Sequence, residues 1–303
     1  MVQLINIAAW NANGLSQHAQ EVRTFIRHNN LDIMLISETH YTKKSHLKIP
    51  GYNTYHTEHP DGTAHGGTAI IIRQTLKQHT LEEFKQDYLQ ATSVRVTNHM
   101  GPIVISAIYC PPKHNNKRHN SETFLNSLGH RYNAGGDWNA KQTQWDFRIV
   151  TTKGRELLAA TLANKATYLS TGQPTHWPSD LRKLPDLLDF WIIQGISKNY
   201  FQVKSSFDLS SDHSPIIASL SSKIADNDRQ PTLYNHRTNW EKFRELLDAQ
   251  ISLHISLKTP REIELATENL TSAVQRAAWA ATPPISTTEH ERNLPLNQTE
   301  NRR

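Results

Sequence analysis

The sequence predicts an α+β protein in which β-sheets pack face to face and helices lie outside them. Short apolar runs with the composition of strands come in several pairs along the chain. Segments with helical spacing are scattered between these pairs. The order of the segments departs from a simple βαβαβ alternation, and it therefore favours layered sheets.

The first elements form a β-α-β-like start. Residues 4–10 and 32–37 are apolar enough to be strands. Between them, apolar residues at spacings of three and four predict an amphipathic helix through Ala19, Val22 and Ile26. Ser16 is the predicted N-cap of this helix, and Asn29-Asn30 is its predicted end.

The next elements are separated by turn signals. Pro50-Gly51 and Asp61-Gly62 are typical of turns. Further strands are predicted at 68–73, 93–96, 103–109, 187–193 and 215–220, and a helix is predicted at 152–164.

The composition predicts a main domain followed by a helical appendage. Residues 1–222 hold all the predicted strands, and residues 223–239 are polar and are expected to be a linker. Residues 240–284 have helical spacing, with Thr259-Pro260-Arg261-Glu262 as a helix start. Residues 285–303 are polar and are expected to be disordered. Helices behind a linker usually pack on something else, so we expect the chain to be a fragment of a longer protein.

The charge balance is consistent with a polyanionic partner. Of the 303 residues, 33 are Lys or Arg and 28 are Asp or Glu, which gives a net charge of +5. A basic soluble surface explains this balance equally well.

The single cysteine, Cys110, excludes an intramolecular disulfide framework and a cysteine-based zinc site. With this cysteine content we expect an intracellular, reducing compartment. No apolar run approaches the ~20 residues of a membrane span, and no targeting signal is visible, so we expect no membrane partner.

Five short polar segments lie at or inside apolar runs. Strands bury apolar side chains, so polar groups at several strand ends predict one shared site at a sheet edge. Hard oxygen ligands, amides and one imidazole suit Mg²⁺-assisted attack of water on a phosphodiester. The segments are 10–14, 36–39, 135–139, 188–190 and 211–215.

Each polar side chain has a chemical interpretation. Glu38 is the candidate metal ligand, and Asp137 is placed to take or orient the proton of the attacking water. Asn139 is placed to donate to a phosphate oxygen. A protonated His213 is placed to donate to the scissile phosphate, with Asp189 orienting its ring.

Two further residues follow strand-like runs. Asn11 is placed to orient Glu38 or the water, and the Tyr109 hydroxyl is placed to reach a phosphate. Taken singly, each segment has a simpler explanation: a helix cap or surface acid, a turn, a polar loop or a half-buried core tyrosine. The occurrence of five such segments in one chain favours a shared functional site over these separate explanations.

In this order the segments resemble the endonuclease/exonuclease/phosphatase superfamily, over about residues 3–222. The resemblance implies a four-layered α/β sandwich of the DNase I type, two packed β-sheets flanked by helices, with divalent-metal phosphoesterase chemistry. It implies Mg²⁺ as cofactor, with Mn²⁺ as an alternative. The implied metal ligands are Glu38 and Asp212, and the implied catalytic residues are Asn11, Tyr109, Asp137, Asn139, Asp189 and His213.

Five segments have sequences similar to those of the endonuclease domain of jockey-like non-LTR retrotransposons, and Trp240, Phe243 and Ala277-Ala278 of the tail resemble that group as well. The segments are 36–40, 66–70, 137–141, 171–176 and 185–190. This resemblance implies a downstream reverse transcriptase, double-stranded target DNA and element RNA as partners, and action in the nucleus. Substrate contacts are expected from Asn13, Thr175 and Ser211. Trp138 and Lys141-Gln142-Thr143 depart from the usual pattern and put substrate fit in question more than chemistry.

We therefore predict a Mg²⁺-dependent endonuclease that nicks one DNA strand and leaves a 3′-hydroxyl to prime reverse transcription. Three alternatives remain at this stage. They are an abasic-site repair nuclease, an inactive nucleic-acid-binding remnant of such an element, and a phosphatase that acts on lipid or inositol.

Overall fold

The computed structural model describes residues 4–98, 101–114, 116–145, 147–180, 182–222, 234, 237–251 and 255–283. The chain divides into two compact units, Met1–Asp226 and Asn227–Arg303. Most of the predicted linker at 223–239 and all of the segment predicted to be disordered at 285–303 lie outside the described residues.

The described part of the first unit contains thirteen strands and three α-helices. The strands are β1 Leu4–Asn11, β2 Ile33–Ser37, β3 Tyr52–Thr57, β4 Thr68–Arg73, β5 Lys77–Thr80, β6 Phe84–Gln86, β7 Leu89–Asn98, β8 Gly101–Tyr109, β9 Tyr132–Asp137, β10 Thr167–Leu169, β11 Asp189–Gln194, β12 Phe201–Ser205 and β13 Ile216–Ser221. The helices are α1 Ala19–His28, α2 Arg118–Ser127 and α3 Thr152–Ala163.

Two mixed sheets pack face to face. The first has the strand order β12-β13-β1-β2-β4-β3, and the second has the order β10-β11-β9-β8-β7-β5, with β6 also paired to β7. Ile7, Leu35 and Ile70 of the first sheet share one buried cluster with Ile105 and Trp191 of the second. This cluster is the core between the sheets.

Helices cover the outer face of each sheet. Val22 and Ile26 of α1 pack with Trp10 against the first sheet. Phe124 of α2 and Leu157 of α3 pack against the second sheet. Burial of each such side chain is worth about 1.5–3 kcal/mol. The result is a four-layered α/β sandwich, which confirms the predicted fold class.

Strand β1 shows why the sequence folds in layers. Ile5, Ile7 and Ala9 point into the core between the sheets, whereas Ala8 and Trp10 point toward α1. Side chains alternate between the two faces of a strand, so an unbroken apolar run is expected where both faces are covered. β1 lies inside its sheet, parallel to β2 and antiparallel to β13.

Several predicted details need correction. Ser16 is not the N-cap of the first helix: Leu15–His18 form a 3₁₀ turn, and α1 begins after His18. The reason is that Leu15 is buried, and the tight turn brings it into the core beside α1. The elements β3, β5, β6, β9, β10, β12 and α2 were not predicted from the sequence. Most are polar or short, and β9 contains two glycines, which are uncommon in strands. The exposed strand β5, for example, pairs with β7 at a sheet edge.

The second unit contains two described helices, α4 Trp240–Asp248 and α5 Pro260–Ala281. The predicted start of α5 is confirmed. Thr259 Oγ1 accepts from the backbone N–H of Glu262 at 3.2 Å, and a Glu262 carboxylate oxygen accepts from the backbone N–H of Thr259 at 2.9 Å.

Among the described helices of the whole chain, none combines the length and apolarity that a membrane crossing requires.

Two glycines allow β9 to approach its neighbours closely. A Cβ on Gly135 would lie 2.1 Å from the Trp191 ring, and a Cβ on Gly136 would lie 2.2 Å from the Ile108 carbonyl oxygen. Gly136 also has φ +140°, which side chains rarely adopt. The Gly-Gly pair therefore belongs to a tightly packed strand, not to a turn, and Asp137 ends that strand.

We expect Gly136→Ala to destabilise the protein by about 3 kcal/mol or more, because the new Cβ overlaps backbone and the φ angle is unfavourable. Gly129→Ala is the matched control, since Gly129 has φ +81° but no atom within 4 Å of its Cβ position. That control should lose only about 1–2 kcal/mol. Urea unfolding measures both changes, and equal losses would contradict the packing argument.

Candidate active site

The register of five strands brings the polar residues to one edge of the sandwich. Asn11 at the end of β1 is paired with Ser37 at the end of the parallel strand β2. Asp137 at the end of β9 is paired with Tyr109 of β8 on one side and with Asp189 of β11 on the other. The shared edge that the sequence predicts is therefore present, with polar residues of both sheets.

The Asp137 carboxylate is held by three N–H donors. Asn11 Nδ2 donates to Asp137 Oδ2 at 3.0 Å, and Asn139 Nδ2 donates to the same oxygen at 2.8 Å. The backbone N–H of Asn139 donates to Asp137 Oδ1 at 2.9 Å. Because Asn11 lies in the first sheet and Asp137 in the second, this contact joins the two sheets at the site.

The electrostatic surroundings of Asp137 suit its carboxylate to accept a proton. The side chain is buried, and burial together with the nearby Asp189 carboxylate raises its pKa above the usual range. His213 acts in the opposite direction and stabilises the charged form. A carboxylate whose pKa is raised in this way is suited to general-base chemistry near neutral pH.

Asp189 and His213 form a buried ion pair. His213 Nδ1 lies 2.7 Å from Asp189 Oδ2. Burial would lower the pKa of His213, but the Asp189 carboxylate outweighs burial and raises that pKa to about 9. The Trp10 indole N–H also donates to the His213 carbonyl at 3.0 Å, which fixes the backbone of the histidine.

Thr175 was predicted to contact the substrate, but its position in the fold contradicts this prediction. Thr175 is fully buried, and its hydroxyl oxygen accepts from the backbone N–H groups of Leu188 and Asp189, each at 3.0 Å. A side chain enclosed in this way has no access to DNA. Thr175 instead holds the start of β11 and so positions Asp189.

The other two predicted substrate contacts lie at the surface of the site. The Ser211 hydroxyl donates to the Asn11 carbonyl at 2.7 Å and accepts from the backbone N–H of His213 at 3.0 Å, so it fastens the His213 segment to β1. Asn13 is exposed, and its side-chain amide donates to Asp212 at 3.4 Å. Of the three residues, Asn13 has the position most open to a substrate.

Glu38 lines a cleft of about 440 Å³ together with His40, Tyr109 and Lys113. Burial raises the pKa of Glu38, but the neighbouring polar side chains of His40, Tyr109 and Asn11 outweigh that effect and lower it. Burial and the neighbouring Glu38 carboxylate also raise the pKa of Tyr109, so its hydroxyl stays protonated and is able to donate.

The donor set at Glu38 fits a hard divalent cation. Its carboxylate is ionised at neutral pH and partly open to the cleft, with 21% of the side chain exposed. Carboxylate and amide oxygens are the ligands that Mg²⁺ prefers. The second predicted ligand, Asp212, is 40% exposed and faces His176 Nε2 at 3.8 Å and Asn13. Its role as a metal ligand stays a prediction.

Three site residues were missed from the sequence. The Ser37 hydroxyl accepts from the backbone N–H of Asp137 at 3.1 Å and donates to the Ile108 carbonyl at 2.6 Å. His40 Nε2 lies 3.6 Å from the Glu38 carboxylate. His176 lies beside His213, with ring centres 4.8 Å apart. Ser37 and His40 lie within two residues of Glu38 in the sequence, and this proximity could have identified them as site residues.

The backbone is strained where the polar residues leave their strands. Asn13, Glu38, His40 and Asn139 have φ angles of 43°, 51°, 53° and 47°. Left-handed backbone at residues other than glycine costs about 1–2 kcal/mol each, and it is tolerated best by Asn, Asp and His. Glu38 is the least favourable of these residues, which is typical of a side chain held in place for function.

A family comparison covers this whole site. The sequence profile of the Endonuclease/Exonuclease/phosphatase family matches residues 8–213. That span contains every site residue described above.

Curated relatives are proteins of mobile elements. The chain is 33% identical to a probable RNA-directed DNA polymerase from transposon BS of Drosophila melanogaster, over 93% of this chain and 31% of that protein. It is 28% identical to the RNA-directed DNA polymerase from mobile element jockey of Drosophila funebris, over 96% of this chain and 31% of that protein. The chain thus spans about a third of the length of these relatives.

Solved structures show the same fold. The endonuclease domain of TRAS1, a telomere-specific non-LTR retrotransposon, matches with a TM-score of 0.58 and 17% identity, over 72% of this chain and 98% of that domain. An AP endonuclease from Leishmania major matches with a TM-score of 0.61 and 12% identity, over 73% of this chain and 89% of that protein.

We expect Asp189→Asn to lower the pKa of His213 by about 1–3 units, because the neutral amide no longer offsets burial of the imidazolium. Asp212→Asn is the control and should lower that pKa less, since Asp212 is 40% exposed. NMR titration of histidine-labelled protein in EDTA gives both values, with the resonance assigned by its loss in His213→Gln. An unchanged His213 pKa in Asp189→Asn would refute the assigned ion pair.

Proposed function

The chain belongs to the Endonuclease/Exonuclease/phosphatase family, and on that basis we propose that it is a divalent-metal-dependent endonuclease that nicks one strand of duplex DNA. The observation that carries this proposal is the constellation at one sheet edge. Asp137 is held by Asn11 and Asn139 beside the Asp189–His213 ion pair.

Asp137 acts as the general base in the proposed mechanism. Its pKa is raised by burial and by Asp189, so the carboxylate takes a proton from water more readily than an exposed aspartate does. The amide groups of Asn11 and Asn139 fix the direction of the carboxylate. They also supply N–H donors beside the point where charge builds up on the phosphate.

His213 is the proposed cationic donor. A pKa of about 9 keeps its ring protonated at neutral pH. Nδ1 is engaged by Asp189, so Nε2–H is the group left to donate to a phosphate oxygen. Asp189 orients the ring and stabilises its positive charge, while Thr175 in turn holds Asp189 in place.

Glu38 is the proposed ligand of the metal ion, with Asp212 as the second residue predicted for this role. Mg²⁺ bound there would neutralise negative charge on the phosphate, and Mn²⁺ has ligand preferences close enough to replace it. Tyr109 lines the same cleft, and its hydroxyl is the proposed donor to the Glu38 carboxylate.

The proposed substrate is double-stranded DNA. A net charge of +5 favours a polyanion, and Lys113 lies in the wall of the Glu38 cleft. Asn13, exposed beside the site, is the proposed side-chain contact to the DNA backbone. Phosphate contacts of this kind fix the position of the duplex, and loop shape then sets any sequence preference.

We further propose the biological setting from the curated relatives. The nick leaves a 3′-hydroxyl, and this end primes reverse transcription of a non-LTR element's RNA by a polymerase domain of the same polyprotein. Chromosomal DNA is the target, so the protein acts in the nucleus after its synthesis in the cytoplasm. The similarity to RNA-directed DNA polymerases of mobile elements supports this setting.

The nicking proposal is tested with supercoiled plasmid, intact or containing abasic sites, in Mg²⁺ or in EDTA. Wild-type protein should convert intact plasmid to open circles only with Mg²⁺. Asp137→Asn should lose about 10²–10⁴-fold in rate, because the general base is removed while its volume is retained. Glu38→Gln should lose activity to a similar or larger extent.

His46→Ala, at an exposed position outside the site, is the matched control and should cleave at the wild-type rate. Near-wild-type nicking by folded Asp137→Asn or Glu38→Gln would overturn the site. Cleavage confined to abasic plasmid would show a repair nuclease instead.

A second prediction concerns the domain boundary. Residues 1–222 alone should fold and nick DNA, because every proposed site residue lies within that range. The measurement is thermal unfolding of the truncated protein together with the plasmid assay. A folded but inactive truncated protein would show that residues after 222 complete the site.

A further inference from the structure

The loop between β3 and β4 gathers a second set of ligand groups, separate from Asp137 and His213. His59, Asp61 and His65 each offer one ligand atom, and the three atoms lie within 4.8 Å of one another. We propose that this loop binds a divalent transition-metal ion of the zinc class through the two imidazoles and the carboxylate.

The spacing of the three groups fits a small four-coordinate ion. His59 Nδ1 lies 3.0 Å from Asp61 Oδ1, and His65 Nε2 lies 3.6 Å from Asp61 Oδ2. Nitrogen and oxygen ligands about 2.0–2.2 Å from a tetrahedral Zn²⁺ are separated by roughly 3.2–3.6 Å. Small side-chain rotations at the exposed end of the loop are enough to bring the atoms onto one ion.

Hydrogen bonds prepare His65 as a ligand. The Thr63 hydroxyl donates to Asp61 Oδ1 at 2.9 Å, so its oxygen is left to accept from His65 Nδ1–H at 2.6 Å. This places the ring proton on Nδ1 and leaves the lone pair of Nε2 directed toward Asp61. Metal-bound histidines are commonly oriented by such a bond from their other ring nitrogen.

His59 faces Asp61 through Nδ1. That nitrogen lies 3.0 Å from Asp61 Oδ1 and 3.4 Å from the Asp61 backbone nitrogen. Without a metal ion, a ring proton on Nδ1 donates to the Asp61 carboxylate. The single lone pair of Nδ1 holds either this proton or a metal ion, so an ion that binds here takes the place of the proton between the two side chains.

The ligand types distinguish this loop from the Glu38 centre. Two imidazoles with one carboxylate favour zinc-like ions, whereas Mg²⁺ prefers oxygen ligands alone. His59 and His65 line the same cleft as Glu38 and Tyr109. An ion on the loop would therefore place positive charge in the cleft wall, beside the proposed path of the DNA backbone.

The test is a titration of the full chain, without a histidine tag, with Co²⁺ as a coloured substitute for Zn²⁺. We expect a visible absorption band typical of four-coordinate nitrogen and oxygen ligation, which Zn²⁺ abolishes and excess Mg²⁺ does not. His59→Ala and His65→Ala should each weaken Co²⁺ binding about tenfold or more. His46→Ala should bind Co²⁺ as the wild type does. Glu38→Gln removes the ligand proposed for the Mg²⁺ centre and should nevertheless keep the visible band, because that band comes from the loop.

Thr63→Val keeps all three ligands and removes the hydroxyl bonds that orient His65 and Asp61, so it should weaken binding about tenfold without loss of the fold. Three results would overturn the proposal: no Co²⁺ band with the wild type, full binding by His65→Ala and Thr63→Val, or loss of the band in Glu38→Gln. The readout is independent of DNA cleavage, so failure of the nuclease proposal leaves this test intact.

Discussion

The register of β9 between β8 and β11 is the constraint on which the site depends. It places Asp137 opposite Tyr109 on one side and opposite Asp189 on the other. A shift of one residue would turn every side chain of β9 to the opposite face and separate these groups. Gly135 and Gly136 make the close approach possible, because a Cβ at either position would overlap a neighbouring strand. The proposed chemistry therefore depends on the close packing of β9 against its two neighbouring strands.

Burial of several carboxylates at one edge opposes stability, and the surrounding structure compensates for it. Asp137 and Asp189 are both buried, and Asp189 raises the pKa of Asp137. The positive charge of His213 balances part of this repulsion, and amide donors from Asn11 and Asn139 satisfy the Asp137 oxygens. Such an arrangement is typical of a site that is arranged for reaction and not for maximal stability.

The sequence predicted buried strands such as β1, β2 and β8, and the polar groups that lie at strand ends. Apolar runs such as 4–10 and 103–109 have periodicity strong enough to identify strands, and Asp137 or His213 stand out against such runs. Edge strands such as β5 carry no such pattern, because an exposed strand needs only backbone partners. The role of Thr175 was mistaken because composition does not show whether a hydroxyl faces solvent or backbone. Only the fold shows that it caps the start of β11.

The central claim is that water attacks the phosphorus and the 3′-oxygen leaves, with Asp137 as the base. Cleavage of duplex DNA in ¹⁸O-labelled water, followed by mass spectrometry of the new ends, tests this most directly. The account predicts a 3′-hydroxyl and a 5′-phosphate that carries one ¹⁸O atom, and labelled product that forms about 10²–10⁴-fold more slowly with Asp137→Asn. A 3′-phosphate, or a 5′-phosphate without label, would contradict it.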